Sequence, residues 1–141
     1  MEADGRSSDR IAVHFLIRGV SVRPEAITQI LHIAPTHSFA AGDPLPRRPD
    51  VHRRFGLWEL ASPVAASGNF EQHLQGLLEL LEPSTAALQE FRSQGHELTF
   101  YCGYFFHNEQ GGQLEIAPET LARIARLGAS LDIRTYWAKD G

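Results

Sequence analysis

The sequence predicts an α+β domain in which a largely antiparallel sheet carries helices. Three observations lead there. Apolar residues alternate with period two in four separate stretches, as half-buried strands require. Between them lie segments with apolar residues at i, i+3 and i+4, as amphipathic helices require. Two of those helices open on the same Pro-Glu pair, in PEAITQILHIAPT from Pro24 and PETLARIARLGAS from Pro118.

In the first strand Ile11, Val13, Phe15 and Ile17 share one face, with Ala12, His14, Leu16 and Arg18 on the other. Pro24 then starts a helix, where its missing N–H costs nothing, and Glu25 complements the dipole. Ile27, Ile30 and Leu31 form its apolar stripe, and Pro35 stops it. From Pro35 to Arg54 the chain reads as a long loop, because Gly42, Pro44, Pro46 and Pro49 interrupt regular structure. Loops of this length in a compact domain are often functional. Phe55 to Ser62 reads as a second strand ended by Pro63. Asn69 and Gln72 have the spacing of a capping box, and Phe70, Leu74, Leu77, Leu78 and Leu81 mark the helix that follows. Beyond Pro83 a further helix carries Ala87, Leu88 and Phe91 until Gly95, completing a helical hairpin. Leu98 to Phe106 is a third strand, and a turn at Gly111-Gly112 leads to Leu114–Ile116, a candidate hairpin edge. The helix from Pro118 directs Leu121, Ile124 and Ala125 inward and ends at Gly128, before a last strand from Leu131 to Trp137. Two strand–helix–strand units imply a ferredoxin-like split βαβ sheet, with the helical hairpin inserted between the two halves.

The chain of 141 residues suits one domain, a tail over 1–9 and the domain over 10–141. Hydrophobic residues at 43% and charged ones at 21% fit a globular core rather than disorder or a membrane protein. A formal charge of -4 supplies no field toward nucleic acid or anionic lipid. The opening MEADGRSSDR lacks the layout of a secretory signal, and the single Cys102 has no partner for a disulfide, so a cytoplasmic setting is expected.

A series of short pieces runs through the chain in order. Pro24-Glu25-Ala26-Ile27-Thr28 is followed by Pro35-Thr36, Gly42-Asp43, Trp58 with Ser62, and His73-Leu74. The ending runs from Leu127-Gly128-Ala129-Ser130-Leu131-Asp132-Ile133 to Tyr136. In this order and spacing the sequence resembles a bacterial family catalogued as domain of unknown function 4279. The resemblance covers nearly the whole chain and implies no particular activity.

The residues themselves argue against catalysis. His32 and His37 are separated by Pro35 and cannot share a helical face as a metal pair would, so no metal or other cofactor is expected. Cys102 alternates with Phe100 and Tyr104, which places it in a core rather than beside a base. Nucleophile elbows, phosphate loops and dinucleotide fingerprints are absent. The sheet's second face would carry Leu16, Tyr101, Phe105 and Tyr136 beside His14 and Arg134. Such a face suits a protein partner or self-association, unless the helical hairpin covers it.

The expected function is therefore a non-catalytic binding or regulatory module acting through protein contacts, immunity-like among other options. A small-molecule sensor or enzyme with a pocket at the 35–58 loop is the alternative. RNA binding through Arg47, Arg48, Arg53 and Arg54 is a minor third reading, since the chain is acidic. The expected site is Thr36, Gly42, Asp43, Arg54 and Trp58, where a proline-stiffened loop offers charged hydrogen bonds and a large indole surface.

Overall fold

The alternation around Phe15 builds β1 (Arg10–Gly19) in a computed structural model that describes residues 9–107 and 114–137. β1 lies at the centre of a single five-stranded sheet, in the order β2-β3-β1-β4-β5. Its neighbours β3 (Gly56–Ala61) and β4 (Glu97–Phe106) both run antiparallel to it, in registers that set Leu16 opposite Glu59 and His14 opposite Tyr101. The outer strands are β2 (His37–Phe39), antiparallel to β3, and β5 (Ser130–Trp137), parallel to β4.

The mixed α+β architecture and the mainly antiparallel sheet agree with the sequence. Split βαβ units are present, but they are built from other strands than the sequence suggested, and the helical segment over 70–93 is one of the crossovers rather than an insertion between two halves. β1 and β2 run parallel with β3 between them, β3 and β4 run parallel with β1 between them, and β4 and β5 are direct parallel neighbours. The helices from Pro24 and Pro118 both join parallel strands, the first reaching β2 across β3 and the second passing directly from β4 to its neighbour β5. Two further differences are local. Part of the expected loop is β2, recruited by backbone pairing with β3. Leu114–Ile116 is no strand, because β5 already takes the edge of β4, and Leu114 and Ile116 pack against the core instead. Residues 1–8 of the expected 1–9 tail, and the Gly111-Gly112 turn, lie outside the described residues. Asp9 is held, accepting hydrogen bonds from Tyr104 and from the His107 amide.

All four α-helices among the described residues cover one face. α1 (Pro24–Leu31) contributes Ile27 and Leu31. α2 (Phe70–Leu81) and α3 (Thr85–Ser93), joined by a 3₁₀ turn at Glu82–Ser84, contribute Leu74, Leu77, Leu78, Leu81, Leu88 and Phe91. α4 (Pro118–Arg126) adds Ile124. These side chains form one cluster with Val13, Phe15, Ile17, Trp58, Phe100 and Cys102 from the sheet. Phe15 sits at its centre, 5.0 Å from the Phe100 ring and 6.5 Å from Trp58. Each such side chain removed from water contributes about 1.5–3 kcal/mol, so this one face carries the fold. α2 and α3 are successive legs of one bent run over that face, and the opposite face stays open.

Polar contacts fix where each helix begins. Asn69 and Gln72 form the expected capping box. α4 has no side-chain cap of its own; the Ala117 amide donates to Glu71 of α2 at 3.0 Å, and Thr120 donates to the other carboxylate oxygen. Burial raises the Glu71 pKa, but hydrogen bonds from Thr120, Ala117 and Gln75 outweigh it and hold it below the usual value. Arg123 grips Glu82 through two bonds of 2.7 and 2.8 Å. Between β3 and α2, Ser62 Oγ lies 2.7 Å from Nδ1 of the buried His73 and accepts from the Val64 amide.

Burial holds His73 below its ordinary 6.5. The unfolded chain then binds this proton more readily than the folded one, so stability must fall as pH drops from 6.5 toward the carboxylate range. His96, lowered by the same cause, adds to the slope. Thermal unfolding followed across that window should show a falling midpoint, and His73→Gln should flatten part of the slope whatever its effect on absolute stability. An unchanged slope would remove His73 from this account.

Candidate functional site

Strand alternation sends His14, Leu16 and Arg18 of β1 away from the helices. Their register partners follow, so Glu59 of β3, Glu97, Thr99 and Tyr101 of β4, and Asp132 and Arg134 of β5 share this open face. Together they line a shallow cleft of about 380 Å³.

Every carboxylate in the cleft has a basic neighbour. His14 Nδ1 lies 2.8 Å from Glu59 Oε2, without the alignment of a hydrogen bond. Arg18 donates to Glu97 through Nε and a terminal nitrogen, at 3.1 and 2.7 Å. Arg134 reaches Asp132 at 3.3 and 3.4 Å. Half-exposed pairs of this kind add at most about 1 kcal/mol each to stability. Their effect is orientation: a mixed-charge surface is held in place before anything binds.

Aromatic rings border the cleft at both ends. At one, the Tyr101 hydroxyl meets that of Tyr136 at 2.9 Å, Tyr136 stacks on Phe105 at 4.7 Å, and Arg10 lies 4.2 Å over Phe105. Gly103 makes room for this group, since a Cβ there would approach the Tyr101 hydroxyl to 3.0 Å. Burial, then the bond to Tyr136, pushes the Tyr101 phenol up to about 12, so it stays a neutral hydrogen-bonding group. At the other end Arg18 lies over Phe55, and Arg53 lies 3.8 Å over Phe39. These guanidiniums are positioned by the rings beneath them.

The five residues expected from sequence are not brought together. Trp58 is fully buried on the helix face, where its indole donates to Thr28 of α1 at 3.0 Å. Thr36 ties β2 to β3: its hydroxyl accepts from the Ala61 amide at 2.9 Å, and its own amide donates to the Glu59 carbonyl. Gly42 adopts φ 94° and Asp43 accepts from the Ala40 amide, which together turn the chain into a flap closed by backbone bonds to Arg53. Arg54 is exposed beside that flap, and its neighbour Arg53 is the one stacked on Phe39. The flap is thus an internally bonded excursion rather than a free loop. The open-face residues were readable as the polar half of each strand's alternation, although Glu59 and Asp132 gave no such signal alone.

Reactive chemistry has little to work with. Cys102 is fully buried on the helix side, opposite in face to His14, and burial pushes its thiol up to about 12. The Ser62–His73 pair lies under the β3–α2 connection, with His73 only 4% exposed. Among the described residues no three His, Cys, Asp or Glu side chains converge on a point that would hold a metal ion. No described helix is long and apolar enough to cross a membrane.

Two measurements check these assignments. Folded protein should react with a thiol reagent far more slowly than urea-unfolded protein, because Cys102 must first be exposed. Thr36→Val should cost about 1 kcal/mol by leaving the Ala61 amide without its partner, whereas Arg54→Ala should stay within about 0.5 kcal/mol. Equal effects in denaturant titrations would contradict the division between tie and exposed residue.

The sequence profile of the family described as Domain of unknown function (DUF4279) matches residues 9–138. No curated protein matches the chain, and no solved structure does. A match over nearly the whole chain takes in every strand and helix described above, and the protein belongs to the DUF4279 family.

Proposed function

We propose that this protein is a non-catalytic binding module that acts through protein contacts made by the open face of its sheet. The observation that carries the reading is the one-sidedness of the fold. Every described helix packs on one face, while the other presents a cleft of pre-oriented ion pairs bordered by Tyr101, Phe105 and Tyr136. A surface whose side chains are already held loses little further freedom on binding. Tyr and Arg beside it are residue types that dominate protein interfaces. A regulatory or toxin-neutralising role fits such a module, in a cytoplasm that a single buried thiol tolerates.

A second reading rests on the volume of the cleft, which falls within the range of about 300–1,000 Å³ typical of small-molecule sites. Its lining would select a polar ligand bearing both charges. RNA is less well served, because Glu59, Glu97 and Asp132 face the position its phosphates would take.

A photo-crosslinking residue placed at Thr99 on the open face, and separately at Leu80 on the solvent side of α2, tests the first reading in the source cell. Thr99 should give a discrete protein adduct and Leu80 none. Adducts from Leu80 alone, or from neither position, would reject it. A small molecule retained in native mass spectra and lost on Tyr101→Ala would instead support the second.

A further inference from the structure

The sheet's two edges are unequal. β2 is three residues long and runs into the flap, whose backbone bonds are made within itself. β5 has eight residues, no proline, and no strand paired to its outer side among the described residues. Long open edges are templates for strand pairing, and proteins ordinarily blunt them. Of the eight large apolar side chains left exposed among the described residues, three lie on this strand: Ile133 at 42%, Tyr136 at 38% and Trp137 at 45%.

We propose that β5 pairs antiparallel with β5 of a second copy, about a two-fold axis at Ile133, to form one continuous sheet. Charge complementarity selects the occupant and the register. Residues opposite one another in an antiparallel pair point to the same face, so a symmetric pairing must place its axis at a residue. At Asp132 the axis would oppose two carboxylates, and at Arg134 two guanidiniums. At Ile133, in the middle of the strand, Asp132 lies opposite Arg134 of the partner subunit, and the symmetry repeats the match. Because Arg134 already holds its own Asp132, the four side chains form a ring of alternating charge. On the helix side the same axis sets Ile133 against Ile133 of the partner subunit, which covers its exposed surface. Directly opposed unlike charges favour strand pairing and like charges oppose it, so this strand carries both an attraction to itself and a penalty for neighbouring registers.

The contact shares Asp132 and Arg134 with the open-face cleft, but its test reads mass alone. In light scattering and sedimentation of the full chain over a dilution series, the wild type should show twice the chain mass. Arg134→Asp and Asp132→Arg should each raise the dimer Kd by about tenfold or more, since each sets like charges across the axis. Mixing the two variants should restore the dimer, because a strand acidic at both positions then faces one basic at both. That recovery also shows that both variants fold. A wild type that stays at single mass overturns the proposal. A dimer indifferent to both variants assigns association to another surface and overturns it too, as does a mixture that stays monomeric.

Discussion

Hydrogen bonding on both sides of β1 is the constraint from which the rest of the structure follows. A strand with two antiparallel neighbours has no free backbone edge, and its side chains must alternate between two environments. Val13, Phe15 and Ile17 take one of them and draw every helix onto that side. The intervening His14, Leu16 and Arg18 are then committed to the other face, with no layer left to cover them. Charged pairs are what allow an uncovered face to persist in water, and the cleft is a consequence of that arrangement.

The helices in turn hold the strands to their positions. Trp58 reaches Thr28, Glu71 caps α4 from α2, and Arg123 grips Glu82, so each of these helices is tied to another part of the domain by at least one directed contact. The open-face side chains consequently rise from strands backed by a packed core. Groups borne on such elements are positioned more precisely than groups on loops. The flap, although self-bonded, lacks that backing.

Local physics was legible in the sequence and pairing was not. The capping box at Asn69, the proline starts at Pro24 and Pro118 and the alternation of all four main strands could be read directly, because each depends on residues a few positions apart. β2 escaped notice because His37, Ser38 and Phe39 form a strand only through β3, a partner beyond any local window. The sheet order escaped for the same reason, since the Pro-Glu echo describes how helices begin and says nothing of which strands meet. Among the expected site residues, Trp58 shows where composition misleads. Its alternation with Leu57 and Glu59 puts it on the buried side, and large amphipathic rings serve cores as readily as interfaces. His14, Tyr101 and Arg134 were correctly sorted to the second face by alternation alone, but their ionic partners required the register.

Placing the first strand at the centre of the sheet also has a bearing on biogenesis. β1 leaves the ribosome before every strand it pairs with, and its contact with β4 joins Arg18 to Glu97 across 79 residues of chain. Pairings of such separation incur loop-closure entropy before they return any stability, which slows folding. During synthesis the apolar side of β1 has only β3 and the early helices for company until β4 emerges. The nascent chain therefore carries β1 with one edge unpaired until β4 emerges, the interval in which chaperones have the most to shield.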